Sequence, residues 1–141
     1  MEIKIATTQT EIFGLIQVRK EVFIKEQNVP VYLEMDDEDA SAMHLIAIND
    51  DFVIGTCRLI FETDYIKLGR LAVLKEYRYQ GIASELLNYA EVQAKLHNYS
   101  SIHLGAQVQA IDFYEKNGYY IISDIFLDAD IPHKMMEKII N

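Results

Sequence analysis

The chain contains a single cysteine, Cys57, among its 141 residues, so no internal disulfide can form. It has no tryptophan, and no apolar run approaches the roughly 20 residues that a helical membrane span requires. Basic residues are few, 13 against 22 acidic, giving a net charge of −9. That balance excludes the basic patch of a nonspecific nucleic-acid binder and disfavours an anionic membrane surface. The opening segment, MEIKIATTQTEIF, lacks a basic region followed by an apolar run, so it does not read as a secretory leader. Together these absences favour a reducing, cytoplasmic setting. No internal repeat, low-complexity segment or linker interrupts the chain. What the chain does have is apolar substance: half its residues are hydrophobic, enough for one compact domain over residues 1–141 rather than a disordered segment.

Local patterns order the elements. Glu2 to Ala6 alternates like a short strand, and Thr8 with Glu11 has the spacing of a capping box. Ile12, Leu15, Ile16, Arg19, Val22 and Phe23 then recur at helical spacing, up to a stop near Pro30. An acidic loop follows, Glu34-Met35-Asp36-Asp37-Glu38-Asp39. His44–Ile48 and Phe52–Phe61 read as a hairpin across Asn49-Asp50-Asp51, with Tyr65–Val73 as a third strand. After Gly81 a helix places Ile82, Leu86, Ala90 and Ala94 on one face. Ile102, Leu104 and Ala106 alternate with His103, Gly105 and Gln107. Gln109–Lys116 fits a short helix ended by Asn117-Gly118. Tyr119–Ser123, Ile125–Leu127 and Lys134–Ile140 close the chain as strands. This order predicts a mixed α/β fold with helices packed on a central sheet.

The segment Arg78-Tyr79-Gln80-Gly81-Ile82-Ala83 joins an apolar strand to a helix start, where backbone N–H groups are free to meet an anion. It lacks the Gly-Lys-Ser/Thr of a Walker loop and the glycine spacing of a dinucleotide fingerprint. It does fit Arg-x-x-Gly-x-Gly/Ala: Gly81 permits close backbone approach, Ala83 keeps the first turn thin, and Arg78 can pair with phosphate. Alone it is equally an ordinary strand-loop-helix with a surface arginine. A second segment, Ala106-Gln107-Val108-Gln109-Ala110-Ile111-Asp112-Phe113-Tyr114-Glu115-Lys116-Asn117-Gly118-Tyr119, resembles the second cofactor motif of the GNAT superfamily of N-acetyltransferases, and both motifs stand in the superfamily's order. Arg19-Lys20-Glu21-Val22-Phe23, Glu26-Gln27-Asn28-Val29-Pro30, Glu34-Met35-Asp36 with Asp39, and Ile131-Pro132-His133 resemble its ElaA/YjcF-like branch, so the likeness covers nearly the whole chain.

The resemblance implies a twisted, mostly antiparallel sheet of six to seven strands with one splayed parallel pair, flanked by about four helices. It implies acetyl-CoA as cofactor, with pantetheine between the strands Tyr65–Val73 and Ser101–Ala106. The backbone of Leu71, Ala72 and Val73 would pair with the pantetheine amides. The N–H groups of Arg78, Tyr79, Gln80, Gly81, Ile82, Ala83 and Ser84 would hold the pyrophosphate, with Gln107, Ala110, Phe113 and Tyr114 completing the coenzyme A site. Two departures stand out. Tyr79 and Gln80 occupy positions where the family often has glycine and a base, and Gln107 replaces a frequent asparagine.

Acetyl transfer to an amine needs a proton acceptor for the amine and a proton donor for the departing thiolate. The resemblance implies Tyr114 as that donor, and a phenol with an ordinary pKa near 10 keeps its proton at neutral pH. The alternative role is a packed aromatic. Leu68-Gly69-Arg70-Leu71 offers no carboxylate, so the base is sought among Glu34, Asp36, His44, His103 and His133. His103 is a possible base for its polar strand face, although for each of these histidines a hydrogen-bonded structural role is the favoured reading. Arg19 and Phe23, by family analogy, with Glu34, Asp36, His44 and His133, form the candidate acceptor wall. Arg19 is as readily an ion-pair partner of Asp36 or Asp39. The acidic loop is either a solvated face or a funnel for a cationic amine. Its spacing lacks the glycine and distal glutamate of a calcium loop, and no metal is expected. Cys57 reads as a packing residue. The leading reading is acetyl transfer to a primary amine on a small molecule. The alternatives are an acyl-homoserine-lactone-synthase-like acyltransferase, disfavoured by the missing tryptophan and the short chain, and a noncatalytic coenzyme A sensor. The apolar closing strands and Met135-Met136 suit either core packing or pairing with a second copy.

Overall fold

The Thr8 hydroxyl accepts from the Glu11 backbone N–H at 3.1 Å, and the Glu11 carboxylate accepts from the Thr8 N–H at 3.1 Å, so the capping box sets the first helix, α1 (Gln9–Arg19). In the computed structural model, which describes residues 1–141, α1 does not stop there. It continues as a π-helical stretch over Lys20–Glu26 that carries Phe23. Extra residues in the turn re-aim side chains, which is why such stretches recur at functional sites. A single-turn helix α2 (Val31–Glu34) follows Pro30, and the acidic loop tightens into a 3₁₀ turn over Asp37–Ala40.

The strands are β1 (Glu2–Ile5), β2 (Met43–Asn49), β3 (Phe52–Phe61), β4 (Ile66–Val73), β5 (Ser101–Gln107), β6 (Tyr120–Ile121), β7 (Phe126–Asp128) and β8 (Ile131–Ile139). They form one sheet in the order β1-β2-β3-β4-β5-β8-β6, with β7 also on β8. Every pair is antiparallel except β4 with β5. The long helix α3 (Ile82–Leu96) supplies the crossover between that parallel pair. The remaining helix, α4 (Ile111–Lys116), follows a 3₁₀ turn over Val108–Ala110.

The closing region differs from its sequence pattern. Tyr119–Ser123 keeps only Tyr120–Ile121 as strand, because the Ser123 hydroxyl takes the Met135 N–H at 2.8 Å and ends the ladder. β8 starts three residues earlier than expected, at Ile131. Pro132 is tolerated as its second residue, near the strand end, opposite the three-residue β7.

Alternation assigns the two faces of the sheet. Leu45, Leu59, Ile66, Leu68, Ile102, Leu104, Ala106 and Met136 pack with Ile82, Leu86, Leu87, Ala90 and Ala94 of α3 in one large core. On the other face, α1 and the π-helical stretch cover β3 and the end of β4, through Val18 and Val22 against Ala72. Beyond α1, over β4, β5 and β8, that second face is open. No helix is long and apolar enough to cross a membrane.

Leu86 is fully buried at the centre of the α3 core. Leu86→Ala is expected to cost ~2–5 kcal/mol, from lost transfer energy and the cavity left behind, read as a lowered urea midpoint with an unchanged slope.

Candidate active site

The loop between β4 and α3 has the geometry its sequence suggested. Tyr79 (φ 63°) and Gly81 (φ 83°) both take left-handed backbone, which costs Gly81 nothing. Gly81 caps α3 with no side-chain partner for the helix start. The six N–H groups from Tyr79 to Ser84 have no acceptor within the chain, whereas the Glu85 N–H bonds to Gly81. Six unpartnered donors at a helix start make a cradle for an anion. Arg78 braces this loop from behind: its Nε donates to the Val73 carbonyl at 2.9 Å and its guanidinium meets Glu26 at 2.6 Å.

β4 and β5 pair only at Ile66 with Ile102, Lys67 with His103, and Leu68 with Leu104. Past that point they part. A bulge in β4 accompanies the parting: Thr56 faces Ala72 and Arg58 faces Gly69, so Arg70 and Leu71 together oppose Cys57. Arg70 takes φ 55°, an uncommon conformation for a side-chain-bearing residue. The gap opens into a cavity of about 410 Å³ on the face that α1 leaves uncovered. Its sides at the gap are Leu68, Leu71, Leu104, Ala110 and Tyr114. Its floor is Gly69 and Gly105, with Arg58, Ile60, Lys67, Gln107, His133 and Met135 around them. Phe126, Asp128, Ala129 and Ile131 close one end, and Phe23, Gln27, Val29, Leu33 and Glu34 form the roof. The two floor glycines keep this face hollow.

The acidic loop is not an open anionic surface. Arg19, 1% exposed, meets the Glu34 carboxylate at 3.0 Å and Asp39 at 2.7 Å. Arg58 pairs with Asp36 at 2.7 Å and Asp39 at 2.8 Å, while Arg70 pairs with Glu34 at 3.0 Å and Asp36 at 3.2 Å. Burial alone would raise the Asp39 carboxyl, but hydrogen bonds from Arg19 and Arg58 outweigh it and hold the group at about 2. The Asp36 carboxyl is lowered by its hydrogen bond from Arg58, against burial. Asp37 and Glu38 alone keep the solvated character expected of a charged run.

Several candidate residues therefore separate. Phe23, Glu34, His133, Leu71, Gln107, Ala110 and Tyr114 line the cavity. Ala72 and Val73 are buried on β4 beyond the parting, and Phe113 sits edge-on to Tyr114. Arg19, Asp36, His44 and His103 lie outside it. Arg19 and His44 border a second cavity between α1, β1 and the acidic loop, and the His44 ring accompanies the Asp39 carbonyl at 2.9 Å. His103 shares the open face with the floor residues but lies two positions beyond them on β5. Its Nε2 meets Glu137 at 2.5 Å and its ring stacks on Tyr65 at 3.9 Å. Burial pushes the Cys57 thiol up to about 12, which keeps it neutral and fits a packing role. Arg70 was not singled out by sequence; only the 34-residue separation from Asp36, closed by folding, reveals its role.

Tyr114 is 9% exposed and turns its ring between Phe113 and Tyr119. Burial raises its phenol well above the ordinary value, with a smaller contribution from Cys57. A phenol so placed keeps its proton and can donate it.

An α/β sheet that opens between two parallel strands, beside a helix start rich in free N–H groups, offers a cleft that can take a ligand with an anionic end. The Acetyltransferase (GNAT) domain model matches residues 15–140, and the chain belongs to that family. It is similar to the uncharacterized N-acetyltransferase YjcF of Bacillus subtilis, 37% identical over 139 residues covering 98% of this chain and 99% of that one. Its structure is similar to Escherichia coli ElaA, with a TM-score of 0.88 at 22% identity over 98% of this chain and 99% of that one. It also shares its fold with an aminoglycoside 6'-N-acetyltransferase complexed with coenzyme A, with a TM-score of 0.79 at 19% identity over 100% and 98% of the two chains.

Acid should weaken both the arginine cluster and the α1 capping box. Asp39 and Glu11 have folded values lowered to about 2 from ordinary values of 3.8 and 4.5. Their contribution is fully present above about pH 4.5 and is lost as pH falls toward 2. A denaturation series is expected to show stability falling across that window, and Asp39→Asn is expected to flatten the fall.

Proposed function

We propose that this protein transfers the acetyl group of acetyl-CoA to the primary amine of a small-molecule acceptor, by direct attack with both substrates bound. The observation that carries this reading is the continuity of three features: the unpartnered N–H run from Tyr79 to Ser84, the parting of β4 from β5, and the protonated Tyr114 at the parting.

The residues fit such a cofactor. The N–H run accepts a pyrophosphate, and the strand edges of β4 from Gly69 to Val73 and of β5 from Gly105 are free of each other and can pair with pantetheine amides. Bound there, acetyl-CoA supplies an activated thioester. Tyr114 holds a proton at Oη for the departing sulfur. Leu68, Leu71, Leu104 and Ala110 exclude water from the gap. Phe23, Leu33, Phe126, Ile131 and Met135 give the acceptor end apolar walls. Those walls, with the ion-paired Arg58 and Arg70, suit a small acceptor enclosed by the cavity better than a flat macromolecular surface.

Tyr114→Phe is expected to lower kcat by about 10²-fold or more while leaving the coenzyme A Kd, measured by calorimetry, unchanged. Unaltered turnover on an accepted amine would remove Tyr114 from the reaction. Coenzyme A binding by the wild type, with no thiol release on spermidine, kanamycin, free amino acids or a lysine peptide, would favour a sensor instead.

A further inference from the structure

The cavity holds seven ionisable side chains: Glu34, Arg58, Lys67, Arg70, Tyr114, Asp128 and His133. Two are held in the arginine cluster as guanidinium groups, Lys67 is an ammonium, and Tyr114 keeps its proton. Three can accept a proton. Both oxygens of Glu34 are taken by Arg19 and Arg70, and the residue is 2% exposed. Asp128 is exposed at the end of β7, where water solvates its carboxylate.

His133 differs from both. It is 8% exposed, on β8, in register with Gln107 of β5 and Phe126 of β7. Its ring stacks against Phe126 at 5.7 Å, and its Cδ2 would lie 3.8 Å from a Cβ built on the floor residue Gly105. Its Nδ1 lies 2.6 Å from the Ile131 carbonyl oxygen. A carbonyl only accepts, so Nδ1 carries the proton and Nε2 presents a lone pair. Nε2 has no partner in the chain and is not among the buried unpartnered atoms, so it stays accessible, on a residue that lines the cavity. The tautomer is set by a contact two residues away, and the ring orientation by Phe126.

We infer that His133 is the general base, taking the proton of the acceptor ammonium at Nε2. This rests on the acetyl-transfer reading. The ammonium gives one proton to Nε2, which later releases it to water. The neutral amine forms the C–N bond as the C–S bond breaks, and the sulfur takes the Tyr114 proton. The second nitrogen proton, shed as the amide forms, restores the phenol through solvent. The role also accounts for the missing strand carboxylate: β4 offers Arg70 at its bulge, and the base enters from β8 instead.

The groups facing His133 that titrate or carry charge are Asp128 from β7, Lys67 and Arg70 from β4, Arg58 from β3, Glu34 from the roof and Tyr114 from α4. None of the residues paired with it on β5 is ionisable. His133→Asn retains an N–H that can reach the Ile131 carbonyl but has no counterpart of Nε2. On an amine that the wild type acetylates, it is expected to lower kcat about 10²-fold or more at pH 7. The deficit should shrink about tenfold per pH unit toward pH 9, as the amine loses its proton unaided, with the coenzyme A Kd unchanged. A loss of equal size at every pH, or no loss, would overturn the base with acetyl transfer intact. Wild-type failure on the whole amine panel would overturn both. Independently of turnover, ¹⁵N NMR of the wild-type imidazole is expected to show the Nδ1–H tautomer; an Nε2–H tautomer would overturn the assignment even if the variant misfolds.

Discussion

Parallel strands hold one another through evenly spaced backbone hydrogen bonds, and β4 and β5 stop doing so beyond Leu68 and Leu104. A sheet interior with unpaired edges is costly unless something else meets those groups. The fold keeps the strands apart by several independent means. The bulge at Arg70 and Leu71 turns β4 away, α3 fills one face beneath the gap, and β8 holds β5 along seven residues on its far side. Everything proposed for the site follows from that parting. The gap exposes strand edges to a ligand, the loop that follows β4 points free N–H groups at its end, and the strand that precedes α4 delivers Tyr114 to its side.

The arginine cluster is the second constraint, and it is linked to the first. Buried ion pairs pay a large desolvation cost and often add little net stability, but removing one partner from such a pair costs about 3–5 kcal/mol because a charge is left stranded. Here the pairs tie several separate elements to one another. Arg19 ends α1, Glu34 ends α2, Asp36 and Asp39 flank the acidic turn, and Arg58 and Arg70 stand on β3 and at the β4 bulge. The strained Arg70 backbone persists because its guanidinium reaches Glu34, Asp36 and the carbonyls of Leu33 and Glu34. The cluster thus fixes the roof of the cavity over its floor. It also consumes the charge that the sequence displayed, so five acids within six residues yield little free negative field.

The segments proposed for the donor side could be read from sequence because each is contiguous. Backbone N–H groups in one loop, and a tyrosine seven residues past Gln107, need no long-range folding to be recognised. The capping box at Thr8, the α3 face and the strand order were legible for the same reason. The acceptor half is assembled from β3, β4, β7, β8 and the π-helical turn, each contributing one or two residues to one face. Alternation marks which residues leave the core face but not which of them meet across the sheet. His103 and His133 illustrate the limit. Both point to the open face, yet β5–β8 register sets His103 against Glu137 and His133 against Gln107 at the cavity. The π-helical turn was illegible because i→i+5 bonding leaves the apolar spacing nearly unchanged over so short a stretch.

Tyr114 and His133 share one reference element. β8 runs antiparallel to β5, and its pairing places His133 beside the last residue of that strand, Gln107. α4 grows from the same end, through the 3₁₀ turn at Val108–Ala110, and carries Tyr114. A shift of β5 along its axis would therefore carry both groups together, while β4, on the far side of the gap, would stay with the loop that leads into α3. Gln107 also ties this end of β5 to the roof, through its amide contact with Gln27 at 2.8 Å. The distance between Tyr114 and His133 is thus set by one strand end, and their position relative to the loop is set by three pairs of residues, Ile66 with Ile102, Lys67 with His103 and Leu68 with Leu104. The roof rests on other elements, α2 and the π-helical stretch, so its side chains can be exchanged without moving this strand end, and a fold of this kind does not by itself name the molecule it acts upon.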